Sequence, residues 1–93
     1  MVQESSDIPF YLLNYAPLSI REKHLDVLKK AADAGTLEWS SLAFYIDKIR
    51  IARGEKQLYG TQFYISKTGE NVYYPSIDPD GLPARRRSVG LKD

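Results

Sequence analysis

The chain lacks cysteine altogether and has little that would direct it to a membrane or a metal. The absence of cysteine among 93 residues excludes a disulfide scaffold, a thiolate zinc site and a cysteine nucleophile. The single histidine, His24, excludes a site built on two imidazoles, so we expect no metal and no cofactor. No apolar run approaches the ~20 residues of a membrane span, and the N-terminus lacks a secretion-signal pattern. These absences predict a cytoplasmic protein without a membrane partner.

Net charge is nearly absent as well. Thirteen Lys and Arg residues against twelve Asp and Glu give a net charge of +1, which disfavours nucleic acid as a partner. An apolar content of 43% fits a globular chain. We expect residues 1–7 to be frayed and residues 8–93 to form a single small domain. Because the core of such a domain is small, self-association and a protein partner both stay open.

The first half of the chain carries helical patterns. Segment 8–16 is predicted to be a short helix, with a buried strand as the alternative. Ser19 and Glu22 have the spacing of a capping box, and the apolar residues that follow recur every three or four positions. We therefore predict a helix over 20–34, which Gly35 ends.

A second helix and two strands follow. Ser40 or Ser41 opens this helix, which Gly54 terminates, and the short connection predicts an antiparallel helix hairpin. The aromatic and β-branched stretches 63–65 and 72–74, with turn residues between them, predict a β-hairpin. Because two strands alone are marginally stable, we expect one face of this hairpin to lie on the helices.

The C-terminal part combines a turn and a short helix. Residues 78–81 form the predicted turn, and the helix lies within 82–91, with Leu82 and Val89 placed to anchor it. The predicted fold is α+β: a helix hairpin with a two-stranded β-hairpin and a short C-terminal helix. The predicted core contains Phe10, Leu13, Leu25, Leu28, Leu42, Ile46, Ile49, Phe63 and Ile65.

The connection 57–62 is the first candidate for chemistry. Tyr59, Thr61 and Gln62 bring hydroxyls and an amide suited to a polar ligand, and Gly60 permits close backbone approach. The alternative is an ordinary helix-to-strand connection, in which the Gln and Thr side chains satisfy buried backbone groups.

Two further clusters are charged. Arg85 and Arg86 could hold a phosphate or carboxylate bidentately, with Asp78 orienting one of them; a solvated basic face with weak Arg–Asp pairs is the alternative. Asp47 stands at the edge of an apolar stripe, from which a carboxylate can brace a loop. An ordinary surface pair with Arg50 is the alternative there.

Three stretches together resemble a known family. They are the Gln-Leu-Tyr-Gly-Thr-Gln of 57–62, the Asp-Pro of 78–79 and the Arg-Arg-Arg-Ser-Val-Gly-Leu of 85–91. The chain resembles, over about residues 10–91, the C-terminal part of a bacterial domain family of unknown function. Members of that family carry Gly-x-x-Gln-x-Tyr-Gly-Thr-Gln, a late Asp-Pro and Arg-Arg-x-x-Val-Gly-Leu.

The chain also departs from that family. The family's Gln-His falls on Asn14 and Tyr15, and its Asp-Arg falls on Asp47 and Lys48, so a histidine and a guanidinium are missing. A further N-terminal segment of the family is not expected within 93 residues. The resemblance implies one site, assembled from Asp47, Tyr59, Thr61, Gln62, Asp78, Arg85 and Arg86.

Three function classes follow from these residues. The first is a module that binds an anionic or polar small molecule, with the two arginines as clamps. The second is a hydrolase or transferase that uses Asp47 or Asp78 as its acid/base; His24 is expected near the helix surface, without a nucleophile beside it. The third is an interaction protein whose exposed tyrosines contact another chain. Whether the chain is an enzyme stays open at this point.

Overall fold

The computed structural model describes residues 10–92, in which helices precede a small sheet and a final helix. Residues 1–9, which include the predicted frayed end, lie outside this part, as does the Phe10 side chain expected in the core. The elements are α1 (Phe10–Leu13), α2 (Leu18–Lys23), α3 (Leu25–Asp33), α4 (Trp39–Ala52), β1 (Phe63–Ile65), β2 (Asn71–Tyr73), a 3₁₀ turn (Pro79–Gly81) and α5 (Leu82–Ser88). The predicted α+β class is confirmed. None of the helices in the described part has the length and apolarity needed to cross a bilayer.

The helix predicted over 20–34 is broken at His24, so that prediction is wrong in its continuity. His24 lies between α2 and α3 with φ −92° and ψ −3°, and its ring is 5% exposed. The ring nitrogen Nδ1 lies 2.9 Å from the Ile20 carbonyl oxygen, one turn back. The imidazole is therefore buried at the break, rather than at the predicted surface position.

The start of this helical region also differs from the prediction. α2 begins at Leu18, directly after Pro17, and no side chain caps its first turn. The capping box of Ser19 and Glu22 is therefore wrong. The Glu22 carboxylate instead lies 3.4 Å from the Arg53 guanidinium at the end of α4, so a tertiary ion pair replaces the local contact.

Helix ends follow the sequence more closely than helix starts. α3 stops before Gly35, as predicted, and the Thr36 N–H donates to the Ala31 carbonyl at 2.9 Å. Gly54 ends α4 in the same way. α4 itself begins at Trp39, one residue ahead of the predicted serine pair.

The core lies between α4 and the three N-terminal helices. Its buried members are Leu13, Ala32, Leu42, Tyr45 and Ile49. Partly buried side chains that pack against it are Leu18, Leu25, Leu28, Leu37 and Ile46. The core predictions for Phe63 and Ile65 are wrong, because these side chains are 45% and 59% exposed.

The β-hairpin stands apart from the helical core. β1 pairs with β2 in antiparallel register, with Phe63 opposite Tyr73 and Tyr64 opposite Val72. The second strand begins at Asn71, one residue earlier than predicted. Phe63 and Ile65, which would carry the face turned to the helices, are 45% and 59% exposed, so the expectation that one face lies on the helices is wrong.

The C-terminal helix is attached to the body at both ends, as predicted. Val89, which follows α5, is 7% exposed. At the other end, the Leu82 side chain packs on Gly60, whose φ is +66°; a Cβ at this glycine would lie 3.2 Å from Leu82 Cδ2. Gly60 thus combines a left-handed backbone with close approach of a helix.

Candidate functional site

The connection 57–62, here named the central loop, links α4 to β1 and begins with a buried amide. Gln57 is fully buried, and its Nε2 donates to the carbonyls of Gln62 (3.1 Å) and Tyr74 (2.8 Å). Its Oε1 accepts the Gln62 N–H at 2.8 Å. The Gln57 side chain therefore bonds to both ends of the β-hairpin, at Gln62 and Tyr74, and supplies hydrogen bonds that a neighbouring strand would otherwise give. This explains how the hairpin holds its place without packing on the helices.

The N–H groups of the central loop converge on Asp47 of α4. This carboxylate is 0% exposed, and it accepts from the N–H groups of Leu58 (2.8 Å) and Tyr59 (3.1 Å). Thr61 donates both its N–H (3.1 Å) and its hydroxyl (2.8 Å) to the second carboxylate oxygen. A buried carboxylate is stable only when donors satisfy it, and the loop provides four. Asp47 braces the loop, as the boundary position predicts, and the alternative surface pair is not formed.

The carbonyl groups of the same loop are held from the opposite side by α5. Arg85 Nε donates to the Leu58 carbonyl at 2.8 Å, and its Nη2 donates to the Ile77 carbonyl. The Asp78 carboxylate lies 3.8 Å from Nη1 of this guanidinium. A Cβ at Gly81 would lie 2.7 Å from an Asp78 carboxylate oxygen, so a side chain there would shift that carboxylate.

Arg86 extends this arrangement along the loop. Its Nη1 donates to the Tyr59 carbonyl at 2.7 Å and to the Gly60 carbonyl at 3.3 Å, and its Nε donates to the Lys92 carbonyl. Two nitrogens of each guanidinium group therefore donate to backbone oxygens, Nε and Nη2 of Arg85 and Nε and Nη1 of Arg86. The Asp47 carboxylate from α4 and two guanidinium groups from α5 hold the loop between them.

The structure thus brings most of the predicted site residues to one loop, but in bracing roles. Thr61 and Gln62 belong to the loop, Asp47 accepts its N–H groups, and Arg85 and Arg86 bind its carbonyls. Tyr59 takes part through its backbone. For Gln57 and Thr61, the interpretation in which side chains satisfy backbone groups describes the observed contacts.

An open cleft of about 480 Å³ lies on the other side of Thr61 and Gln62. It is formed by the end of α1, one face of α4 and the start of β1. Its lining residues are Asn14, Tyr15, Ser41, Phe44, Lys48, Thr61, Gln62 and Phe63. Asp78, Arg85 and Arg86 do not line it. The cleft, rather than the arginine cluster, is where a small molecule has space to bind.

Lys48 provides the positive charge of this cleft. Its Nζ donates to the Asn14 carbonyl at 3.3 Å and lies 5.2 Å from the centre of the Tyr15 ring. Among residues 10–92, the ion pairs of the structure involve other side chains. The ammonium is thus held at the cleft by a carbonyl and a ring, and no carboxylate of residues 10–92 neutralises its charge.

Hydrogen bonds fix the polar wall opposite Lys48. Gln62 Nε2 donates to the Thr61 hydroxyl at 2.9 Å, and that hydroxyl donates to Asp47 at 2.8 Å. Because a hydroxyl has only one proton, the direction of this chain is set from Gln62 to Thr61 to Asp47. The buried carboxylate therefore orients the amide that lines the cleft.

The cleft was not predicted from the sequence, although the residue spacing on α4 indicates one of its faces. Ser41, Phe44 and Lys48 are spaced three and four residues apart on α4, so they share one helical face. Asp47 is adjacent to Lys48 in sequence but points about 100° away, into the central loop. The apolar stripe of α4 predicts which face is buried. The second face mixes polar, aromatic and charged residues, a pattern that is equally typical of solvated surface.

A buried tyrosine lies in the helical core, away from the cleft. The Tyr45 hydroxyl donates to the Arg21 carbonyl at 2.7 Å. Burial raises the pKa of Tyr45 above 10.0, and the positive charge of Arg21 partly opposes this. In residues 10–92, no three His, Asp or Glu side chains are grouped in a way that could hold a metal ion.

Comparison with known proteins gives a family and no activity. No curated protein and no solved structure has detectable similarity to the chain. The sequence pattern of a family of unknown function (DUF6624) matches residues 3–93. Because this match covers nearly the whole chain, the protein belongs to that family of unknown function, DUF6624.

Proposed function

We propose that this protein is a binding module that holds an anionic or polar small molecule in the cleft beside Lys48. The observation that carries the proposal is the Lys48 ammonium, which faces a cleft of about 480 Å³ without a carboxylate partner among the described residues. Ligand sites have volumes of roughly 300–1,000 Å³ and combine apolar walls with a few oriented polar groups. This cleft has that size and that composition.

The polar groups have separate roles in the proposal. Lys48 supplies charge, and a bound anion would replace part of the hydration of the ammonium. Gln62 and Ser41 supply an amide and a hydroxyl for hydrogen bonds to the ligand. Gln62 is oriented in advance by Thr61, and such preorganisation reduces the entropy lost on binding.

The central loop forms one wall of the proposed site, and Arg85 and Arg86 support that wall from behind. Their guanidinium groups donate to loop carbonyls, so the proposal assigns them to the loop rather than to the ligand. Asp78 supports Arg85 in turn. This assignment separates residues that contact the ligand from residues that position the wall.

Binding is favoured over catalysis by the chemistry of the lining. The cleft residues within the described part of the chain include neither a carboxylate nor an imidazole, which are the usual groups for proton transfer. Asp47, the nearest acid to the loop, has its oxygens occupied by four donors. His24 lies in the helical core, against Ile20.

The proposal is tested by thermal shift at low salt with phosphate, sulfate, acetate and citrate. At least one of these anions should raise the melting temperature of the wild type and shift the Thr61 and Gln62 amide resonances. Lys48→Gln should abolish both effects. The matched control is Lys29→Gln, which removes an exposed lysine from α3 and should retain them. Binding that persists in Lys48→Gln, or no response to any anion, would contradict the proposal.

A further inference from the structure

Three aromatic rings line the same cleft as Lys48. Tyr15 follows α1, Phe44 lies on α4 and Phe63 begins β1, so they reach the cleft from separate parts of the fold. They are 83%, 45% and 45% exposed, respectively. Exposed apolar rings that share a concave surface mark a place that a ligand covers, whereas isolated exposed rings do not.

The order of groups along α4 relates the rings to the charge. Ser41, Phe44 and Lys48 follow one another on one face of the helix, at spacings of three and four residues. Tyr15 stands at the charged end, because its ring lies 5.2 Å from Lys48 Nζ. A molecule with its acidic group at Lys48 would therefore place the rest of its body over Phe44 and toward Ser41.

The charge count limits the ligand further. Among the described residues that line the cleft, Lys48 is the only one with a charged side chain. A single ammonium balances a single negative charge, and each additional charge on the ligand would lose water without gaining a partner. The volume of about 480 Å³ accommodates one or two fused rings with an acidic group.

We infer that the ligand is a monoanion with a flat, ring-bearing body, of the aromatic carboxylate class. The inference rests on the proposed function and adds to it the shape and charge of the ligand. The carboxylate lies against Lys48, and the ring lies against Phe44 and Phe63. Flat rings gain offset or edge-to-face contacts from aromatic walls that a saturated ring of similar size does not.

A second pocket and the arginine cluster fit such a ligand less well. The smaller pocket, of about 290 Å³, is lined by both Glu55 and Lys56, so its charges oppose each other. Arg85 and Arg86 direct their donors at carbonyl oxygens. An anion there would have to displace existing hydrogen bonds, whereas at Lys48 it meets an ammonium that no carboxylate of residues 10–92 pairs with.

The test uses three probes of nearly equal size: 2-naphthoate, its saturated analogue decahydro-2-naphthoate, and neutral 2-naphthamide. Dissociation constants come from calorimetry or from titration of amide resonances. 2-Naphthoate should bind about 3- to 10-fold tighter than the saturated acid, the range expected for ring–ring contacts. It should bind at least about 10-fold tighter than the amide, because the charged hydrogen bond is lost.

Variants assign the two effects to residues. Phe44→Leu should reduce the preference for the flat ring, and the double variant Phe44→Leu/Phe63→Leu should remove it, while both variants keep the preference for the acid. Lys48→Gln should remove the preference for the acid and leave the preference for the flat ring. The control is Tyr64→Leu, which alters an exposed ring of the hairpin outside the cleft and should change neither preference.

The outcomes separate this inference from the proposed function. Equal binding of the flat and saturated acids, or absence of 2-naphthoate binding, overturns the inference. If simple anions still bind through Lys48 in either case, the proposed function stands. If no anion binds at all, both are wrong. A flat-ring preference that persists in full in the double variant Phe44→Leu/Phe63→Leu would place the ligand elsewhere and also overturn the inference.

Discussion

Replacement of Asp47 by asparagine should destabilise the fold far more than an isosteric change usually does. Asparagine fits the space of the carboxylate but exchanges one acceptor oxygen for an NH₂ group. In either orientation of the amide, that NH₂ faces N–H donors of the central loop, at Leu58 and Tyr59 or at Thr61. Two donors that face each other cannot form a hydrogen bond, so at least one loop N–H loses its partner.

The magnitude follows from the groups involved. A buried N–H group without an acceptor lowers the free energy of unfolding by about 1–3 kcal/mol. This cost applies in full to the N–H of Thr61, because Thr61 is only 7% exposed. The remaining bonds change from charge-assisted to neutral, which roughly halves their strength. Partly exposed Leu58 and Tyr59 can recover water, so we expect a total loss of about 3–5 kcal/mol. A chain of this length has a free energy of unfolding of roughly 5–14 kcal/mol, so the loss is a large share of it.

Urea unfolding followed by circular dichroism measures this loss. Asp33→Asn, at an exposed position near the end of α3, is the matched control, and its free energy of unfolding should change by less than about 0.5 kcal/mol. If Asp47→Asn were no more destabilising than this control, the buried carboxylate would not be what holds the central loop. The assignment of the loop as a preorganised wall would then fail with it.

Three further predictions concern the loop and the core. Gln57→Glu should lower the free energy of unfolding by about 2–4 kcal/mol, because a carboxylate oxygen would face two carbonyl oxygens. Hydrogen exchange should show reduced amide protection in the hairpin, and unchanged protection would contradict this. Gly60→Ala should be more destabilising than Gly69→Ala by about 1 kcal/mol in urea unfolding. Both glycines have positive φ, but only Gly60 contacts Leu82, so equal losses would refute the packing argument. The raised pKa of Tyr45 should make the free energy of unfolding fall at high pH. Well below pH 10.0 the folded and the unfolded chain both keep the phenol proton, and above it the unfolded chain releases that proton more readily. Tyr45→Phe should flatten that fall in pH-dependent unfolding, and an unchanged slope would rule it out.

Features set by neighbouring residues were predictable from the sequence. The helix ends at Gly35 and Gly54 depend on a left-handed residue and on backbone bonds a few positions away, so the residue type decides them. The strands followed from aromatic and β-branched stretches on either side of turn residues. The bracing role of Asp47 was one of two alternatives that the sequence left open, since the position of one residue relative to an apolar stripe also fits a surface pair.

Features set by distant contacts were not predictable in the same way. The break at His24 leaves the apolar spacing intact, so periodicity did not reveal it. The hairpin was expected to need a face on the helices, because nothing in the sequence shows that Gln57 alone would secure its base. The cleft depends on Asn14, Lys48 and Phe63, which lie far apart in the chain and meet only after folding.

The grip of α5 on the central loop has a consequence for how the site can be lost. Among the described residues, those that line the cleft all precede position 64, yet the loop carbonyls behind it are held from positions 85 and 86. A proteolytic nick between the hairpin and α5, or a bulky tag fused close to the last helix, would leave each of these lining side chains in the polypeptide. The carbonyls of Leu58, Tyr59 and Gly60 would nevertheless lose their guanidinium partners, so the proposed ligand binding should weaken when α5 is displaced.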